Sequence, residues 1–135
     1  MSHYRVTSAG SAYPLEALTG RVVGAAIEVH KELGPGYVEA TYEDALAVEL
    51  TLRGIPFLRQ HPVHLTYKGH AVGESRLDFV VDEVLVVELK AVELLLAVHT
   101  AQLISYLKAT HTRIGLLLNF NVPLMKEGVK RVILD

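Results

Sequence analysis

Apolar positions along this chain change period several times, and each change marks an element. From Pro14 onward, Leu15, Leu18, Val22, Val23, Ala26, Ile27 and Val29 recur near the helical period and predict a helix with one buried face. Leu33-Gly34-Pro35-Gly36 stops it, since glycine and proline favour backbone that a helix cannot continue. A second helix is predicted over residues 38–52, ending at Arg53-Gly54. Short runs rich in Val and Leu then replace the helical pattern. They predict strand pieces at 57–60 and 63–67, a turn at Lys68-Gly69, and strands at 73–81 and 84–90. Residues 97–110 return to helical spacing, 113–119 read as an apolar strand and 129–134 as a last one. Residues 1–13 are small and polar and are expected to be a flexible segment before a single domain at 14–135. Helix, helix, strands, helix, strand predicts an α/β fold with a mixed sheet flanked by helices.

Two strands carry charges at odds with their apolar composition. The segment Asp78-Phe-Val-Val-Asp-Glu-Val-Leu-Val-Val-Glu88-Leu-Lys90 places one acid in the first strand and closes the second with Glu-x-Lys. Side chains two apart on a strand share a face, so Glu88 and Lys90 point the same way. Burying such charges costs several kcal/mol unless they are paired or hold a metal. Two carboxylates and an ammonium at one spot are the equipment of a metal-dependent phosphodiesterase: acids for Mg²⁺ or Mn²⁺, and a lysine for an attacking water or developing negative charge.

Strand register makes that convergence conditional. Directly opposed residues in an antiparallel pair point to one face. Asp78 therefore joins Glu88 only if paired residue numbers have an even sum. A two-residue turn at Asp82-Glu83 would put the acids on opposite faces, so a three-residue connection or a bulge is expected. On the predicted helices, Glu39 and Tyr42 are three apart, as are His99 and Gln102, and Tyr106 follows Gln102 by four. Each spacing keeps its set on one helical face.

Composition narrows the classes. A chain of 135 residues, half hydrophobic and 21% charged, builds a real core and is not a disordered segment. No apolar run approaches the roughly 20 residues of a membrane span, and no secretion-signal pattern is present. Cysteine is absent, so thiolate metal sites and disulfides are excluded. A cytoplasmic protein is expected. A net charge of −2 gives no global pull toward nucleic acid, so any such contact rests on local patches and on the metal.

Gly36-Tyr-Val-Glu39-Ala-Thr-Tyr42 resembles the signature of the GxxExxY proteins, a branch of the PD-(D/E)XK nuclease superfamily. The segments around Ile27 to Gly36, Glu88 to Val92, His99 to Leu107 and Gly115 to Pro123 resemble it too, so the likeness runs over residues 19–132. It implies a restriction-endonuclease-like α-β-β-β-α-β core. It also implies that Asp78 and Glu88 bind metal, often with the Leu89 carbonyl, that Lys90 is catalytic, and that Glu39 completes the metal site directly or through water. Gln102 and Tyr106 match the Gln-x-x-x-Tyr element of RecB-like exonucleases, which supports the lysine and contacts nucleic acid.

The expected activity is divalent-metal-dependent hydrolysis of phosphodiesters in DNA, or RNA. Asp78, Glu88, Lys90 and Gln102 are the catalytic set, Asp78, Glu88 and Glu39 the metal ligands, and Tyr106 and Arg76 the substrate contacts, Arg76 because strand parity sets it on the face of Asp78. Lys68 and Lys108 offer further backbone contacts. The competing readings are plain. Glu88 and Lys90 would form a rim salt bridge, Glu39 would serve the helix dipole, and Tyr42 would be a core aromatic with a tied hydroxyl. His30 and His99 would be hydrogen-bonded structural residues rather than ligands, and Asn119 and Asn121 would shape a turn. The alternative functions are a catalytically silent interaction or regulatory module with this fold, and hydrolysis of a small phosphate ester. An exposed apolar edge would favour a homodimer.

Overall fold

The computed structural model describes residues 4–7 and 15–135. Helices α1 (Glu16–Leu33) and α2 (Glu39–Leu52) come before strands β2 (Phe57–Tyr67), β3 (His70–Val81) and β4 (Leu85–Lys90). Helix α3 (Ala97–Thr110), strand β5 (Ile114–Asn119), a 3₁₀ turn (Met125–Gly128) and strand β6 (Val129–Leu134) follow, and β1 (Tyr4–Thr7) precedes them all. Among the described residues the sheet has six strands in the order β1-β6-β5-β4-β3-β2. Of these pairs only β4 and β5 are parallel, and α3 supplies the crossover that a parallel pair requires. From α2 to β5 the order is the expected α-β-β-β-α-β. None of the described helices is long and apolar enough to cross a membrane.

The layers follow from side-chain alternation. Strands β4 and β5 are buried along nearly their whole length, as suits central strands covered on both faces. Their odd and even positions face different cores. Val87, Leu89, Leu116 and Leu118 pack under α1 and α2 with Val22, Ala26, Tyr42, Leu46 and Leu50. Val86 and Leu117 pack under α3 with Leu103, Tyr106 and Leu107. Helices thus cover both faces of a mixed sheet.

Several expected boundaries move for physical reasons. The expected strand pieces 57–60 and 63–67 are one strand, because β2 lies at the sheet edge, where Pro62 is tolerated. Strand β3 begins three residues earlier than expected, at His70. Tyr4–Thr7, inside the stretch expected to be flexible, pairs antiparallel with β6; residues 1–3 and 8–14 of that stretch lie outside the described residues. The β3–β4 connection is Asp82-Glu83-Val84, three residues long, with Asp82 and Glu83 at φ 50° and 62°. It pairs Val81 with Leu85 and Phe79 with Val87, the even-sum register on which Asp78 and Glu88 meet.

The 3₁₀ turn lies hard against the end of β5. A Cβ on Gly128 would fall inside the contact distance of the Asn119 carbonyl oxygen, with Val122 pressing from the side at 3.2 Å. The Asn119 carbonyl is backbone and cannot yield cheaply. Gly128→Ala is expected to destabilise the protein by about 2–3 kcal/mol, measured as a lowered denaturation midpoint; an unchanged midpoint would mean that this approach is looser than described.

Candidate active site

The chain brings Asp78 and Glu88 together by ending a ladder early. Paired residues of β3 and β4 stop at Phe79 and Val87. One step further the strands part, leaving the Leu89 N–H without a strand partner. The side chain of Asp78 takes it: the Leu89 amide donates to Asp78 Oδ2 at 2.8 Å. A buried amide must find an acceptor, so this bond both closes the ladder and fixes the carboxylate in the fork.

Glu88 is buried because its strand is buried, at 6% exposure. Its Oε1 finds no hydrogen-bond partner. Burial, then the neighbouring Asp78 charge and a hydrogen bond with its side chain, push the Glu88 carboxyl up from 4.5 to about 9. The Lys90 ammonium and the Asp78 backbone N–H pull it the other way and do not prevail. Desolvation plus a like charge therefore outweigh one nearby cation, so the carboxyl keeps its proton while no further positive charge is present.

Lys90 ends β4 half-buried, in parallel register with Asn119 of β5. Among the described residues it makes no ion pair within 4.0 Å, so the rim salt bridge with Glu88 does not form. Asn119 is 3% exposed and clamps the chain just after Lys90: its carboxamide accepts from the Val92 N–H at 3.0 Å and donates to the Val92 carbonyl at 2.9 Å. The Phe120 N–H donates to the Lys90 carbonyl at 2.9 Å. Lys90 is thus anchored on both sides by β5, and Asn119 does more than shape a turn.

The remaining expected residues divide. Glu39 heads α2, exposed to solvent. Among the described residues no three His, Asp or Glu side chains gather, so Glu39 does not stand with Asp78 and Glu88 in a three-carboxylate cluster. Tyr106 is buried against the sheet, its hydroxyl 2.7 Å from Ser75 Oγ, so it fixes α3 to β3. Gln102 lies one turn earlier on α3 and is exposed. Arg76 donates from Nη1 to the Gln60 carbonyl at 2.9 Å and sits 3.7 Å from Glu74. Parity does not carry Arg76 to the face of Asp78: Phe79 and Val81 pack under α1 and α2, yet Leu77 packs under α3, so β3 changes face at Asp78.

Tyr42 is a core aromatic with a tied hydroxyl. It donates to the Gly34 carbonyl at 2.6 Å, accepts from the Tyr37 N–H at 3.2 Å, and stacks on Phe120. With Gly36 at φ 110°, it fixes the α1–α2 turn near the end of β5. The Nε2 of His30 is 2.8 Å from the Val122 carbonyl, and His99 Nδ1 accepts the Leu96 N–H at the start of α3. Both are structural.

An oxygen-only pair with one unpartnered buried oxygen and one displaceable proton fits a hard divalent cation such as Mg²⁺ or Mn²⁺. The residues that would hold it are Asp78 and Glu88, with backbone carbonyl and water left to complete the shell. Two contributors were not legible in the sequence. Gln60 reaches both Glu43 of α2 and Asp78, and its backbone is left-handed at φ 49° inside a strand. A positive φ at a Gln has no signature in sequence, and Glu43 looked like any helical acid.

A protein-family model described as the PD-(D/E)XK nuclease superfamily matches residues 16–132. No curated protein matches the chain, and no solved structure does. The matched span includes every candidate residue named above.

The raised Glu88 carboxyl has a consequence for stability. Folded protein holds a proton that the unfolded chain releases above 4.5, so without metal stability falls as pH rises from about 4.5 to about 9 and levels beyond. Glu88→Gln keeps the shape and cannot titrate. In EDTA it is expected to melt above wild type at about pH 8, by on the order of a few kcal/mol, with the gap closing toward about pH 5. Parallel melting curves at both pH values would contradict the buried-proton assignment.

Proposed function

This chain belongs to the PD-(D/E)XK nuclease superfamily, and from that premise we propose that it hydrolyses phosphodiester bonds of nucleic acid, DNA in preference to RNA, with Mg²⁺ or Mn²⁺ as cofactor. Within the superfamily we place it in the GxxExxY branch, on Gly36, Glu39 and Tyr42, with the RecB-like pair Gln102 and Tyr106. One observation carries the reading: two carboxylates meet where Glu88 is buried, one of its oxygens has no partner among the described residues, and the carboxyl lacks the positive charge it would need to ionise.

A divalent cation, when bound, supplies the charge that lets both acids ionise and that polarises water and phosphate. Asp78 and Glu88 would hold it, with the Glu88 carboxyl ionised by its charge. Lys90 follows Glu88 by two on the same face, so its ammonium lies beside this pair, unpaired and available to negative charge developing on the scissile phosphate. Water adds to phosphorus, an ester P–O bond breaks, and the departing oxygen leaves with a proton. Tyr106 holds α3 against β3, which sets exposed Gln102 to contact the lysine or the phosphate. Glu39 acts through water rather than as a direct ligand. Arg76, off the face of Asp78, is left out of the site, while Lys68 and Lys108, both exposed, offer phosphate contacts.

The test uses supercoiled, linear duplex and single-stranded DNA and RNA, each with Mn²⁺ or Mg²⁺. Lys90→Ala is expected to lose about 100-fold or more in cleavage rate while binding Mn²⁺ nearly as wild type does. Equal cleavage by wild type and Lys90→Ala on every substrate would overturn the nuclease reading. Titration calorimetry gives a second check: Asp78→Ala is expected to abolish the Mn²⁺ binding that wild type shows. A wild type that binds no Mn²⁺ would identify a catalytically silent interaction module instead.

A further inference from the structure

We propose that Gln60, anchored by Glu43 of α2, is a positioning residue that aims the Asp78 carboxylate into the fork; the proposal rests on the metal-site reading of Asp78 and Glu88 given above. Gln60 lies in the middle of β2, flanked by the regular pairs Arg59–Phe79 and His61–Leu77, so it stands opposite Asp78. Its φ of 49° is a conformation that a side chain with a Cβ adopts at a cost, and no turn there demands it. Something nearby offsets that cost.

Three contacts converge on this residue. Its Nε2 donates to Glu43 Oε1 at 2.6 Å. The same nitrogen lies 3.4 Å from Asp78 Oδ1. Its backbone carbonyl accepts from Arg76 Nη1 at 2.9 Å. Glu43 is itself held, since the Arg59 guanidinium binds it and also Asp44 at 2.6 Å. The short bond to Glu43 fixes the carboxamide, and the longer one turns an N–H toward Asp78. Strength is therefore not its contribution; direction is.

Asp78 makes that direction matter. Its Oδ2 is already taken by the Leu89 amide, so Oδ1 is the oxygen whose orientation is still open, and Gln60 is what faces it. A carboxamide brings a donor without a positive charge, so it orients the carboxylate without competing with a cation as an arginine would. The left-handed turn of Gln60 also coincides with the change of face in β3. Phe79, beside Arg59 across the ladder, packs under α1 and α2, and Leu77, beside His61, packs under α3. The strand therefore changes face at this pair.

Gln60→Gly tests the role, because glycine accepts φ 49° freely and lacks only the carboxamide. The expected result is a protein at least as heat-stable as wild type whose Mn²⁺ affinity by calorimetry falls about tenfold. Its kcat is expected to fall similarly, with KM for DNA unchanged. Glu43→Gln, a half-buried helical change that keeps the side chain's shape, is expected to move affinity the same way by less, and the double variant to be no worse than Gln60→Gly alone. Wild-type Mn²⁺ affinity in either folded single variant would overturn the positioning role and leave the nuclease reading standing. Failure of wild type itself to bind Mn²⁺ would overturn both.

Discussion

The arrangement turns on two carboxyl groups placed side by side at the end of a strand made otherwise of valine and leucine. Water is excluded from Glu88 because β4 is the centre of a sheet covered by helices on both faces. Asp78 is beside it because the β3–β4 ladder ends one pair early and the Asp78 side chain replaces the missing backbone acceptor. Left alone, the pair can carry only one full negative charge at neutral pH. Several kcal/mol of desolvation is too large a cost to persist at a strand end without a use. A bound cation would remove the conflict, and on that ground the pair is proposed as a metal site.

The rest of the fold serves to hold that fork still. Strand β5 runs parallel to β4 and fixes its end twice, through the Phe120 amide on Lys90 and through the Asn119 carboxamide on Val92. Phe120 is gripped in turn by Tyr42, whose hydroxyl closes the α1–α2 turn, and His30 ties α1 to Val122. On the other face, Tyr106 locks α3 to Ser75. The motif residues Tyr42 and Tyr106, and His30 beside them, are the pins of this scaffold. The Lys90 side chain takes no part in this scaffold, which leaves it available for the proposed role.

Much of this was legible in the sequence, for a reason tied to period. Helix and strand identities followed from hydrophobic spacing, and residues 97–110 and 129–134 coincide with α3 and β6 at both ends. Parity demanded a three-residue connection or a bulge between β3 and β4, and Asp82-Glu83-Val84 is the former. What escaped the sequence was whatever depends on a single dihedral or a distant neighbour. Tyr4–Thr7 pairs with a strand at the opposite end of the chain. Gln60 adopts a left-handed backbone that nothing in Arg-Gln-His announces, and the change of face in β3 separates Arg76 from the face assigned to it by parity. Glu39 kept its helical position without reaching the carboxylate pair, while Glu43, one turn on, connects to Asp78 through Gln60.

A crystal structure grown with Mn²⁺, read by anomalous scattering, addresses the centre of this account most directly. One strong peak is expected in the fork, with Asp78 and Glu88 oxygens about 2.1 Å from the ion. A peak elsewhere with none in the fork, or a Glu88 carboxyl turned away and enclosed by aliphatic side chains, would contradict it.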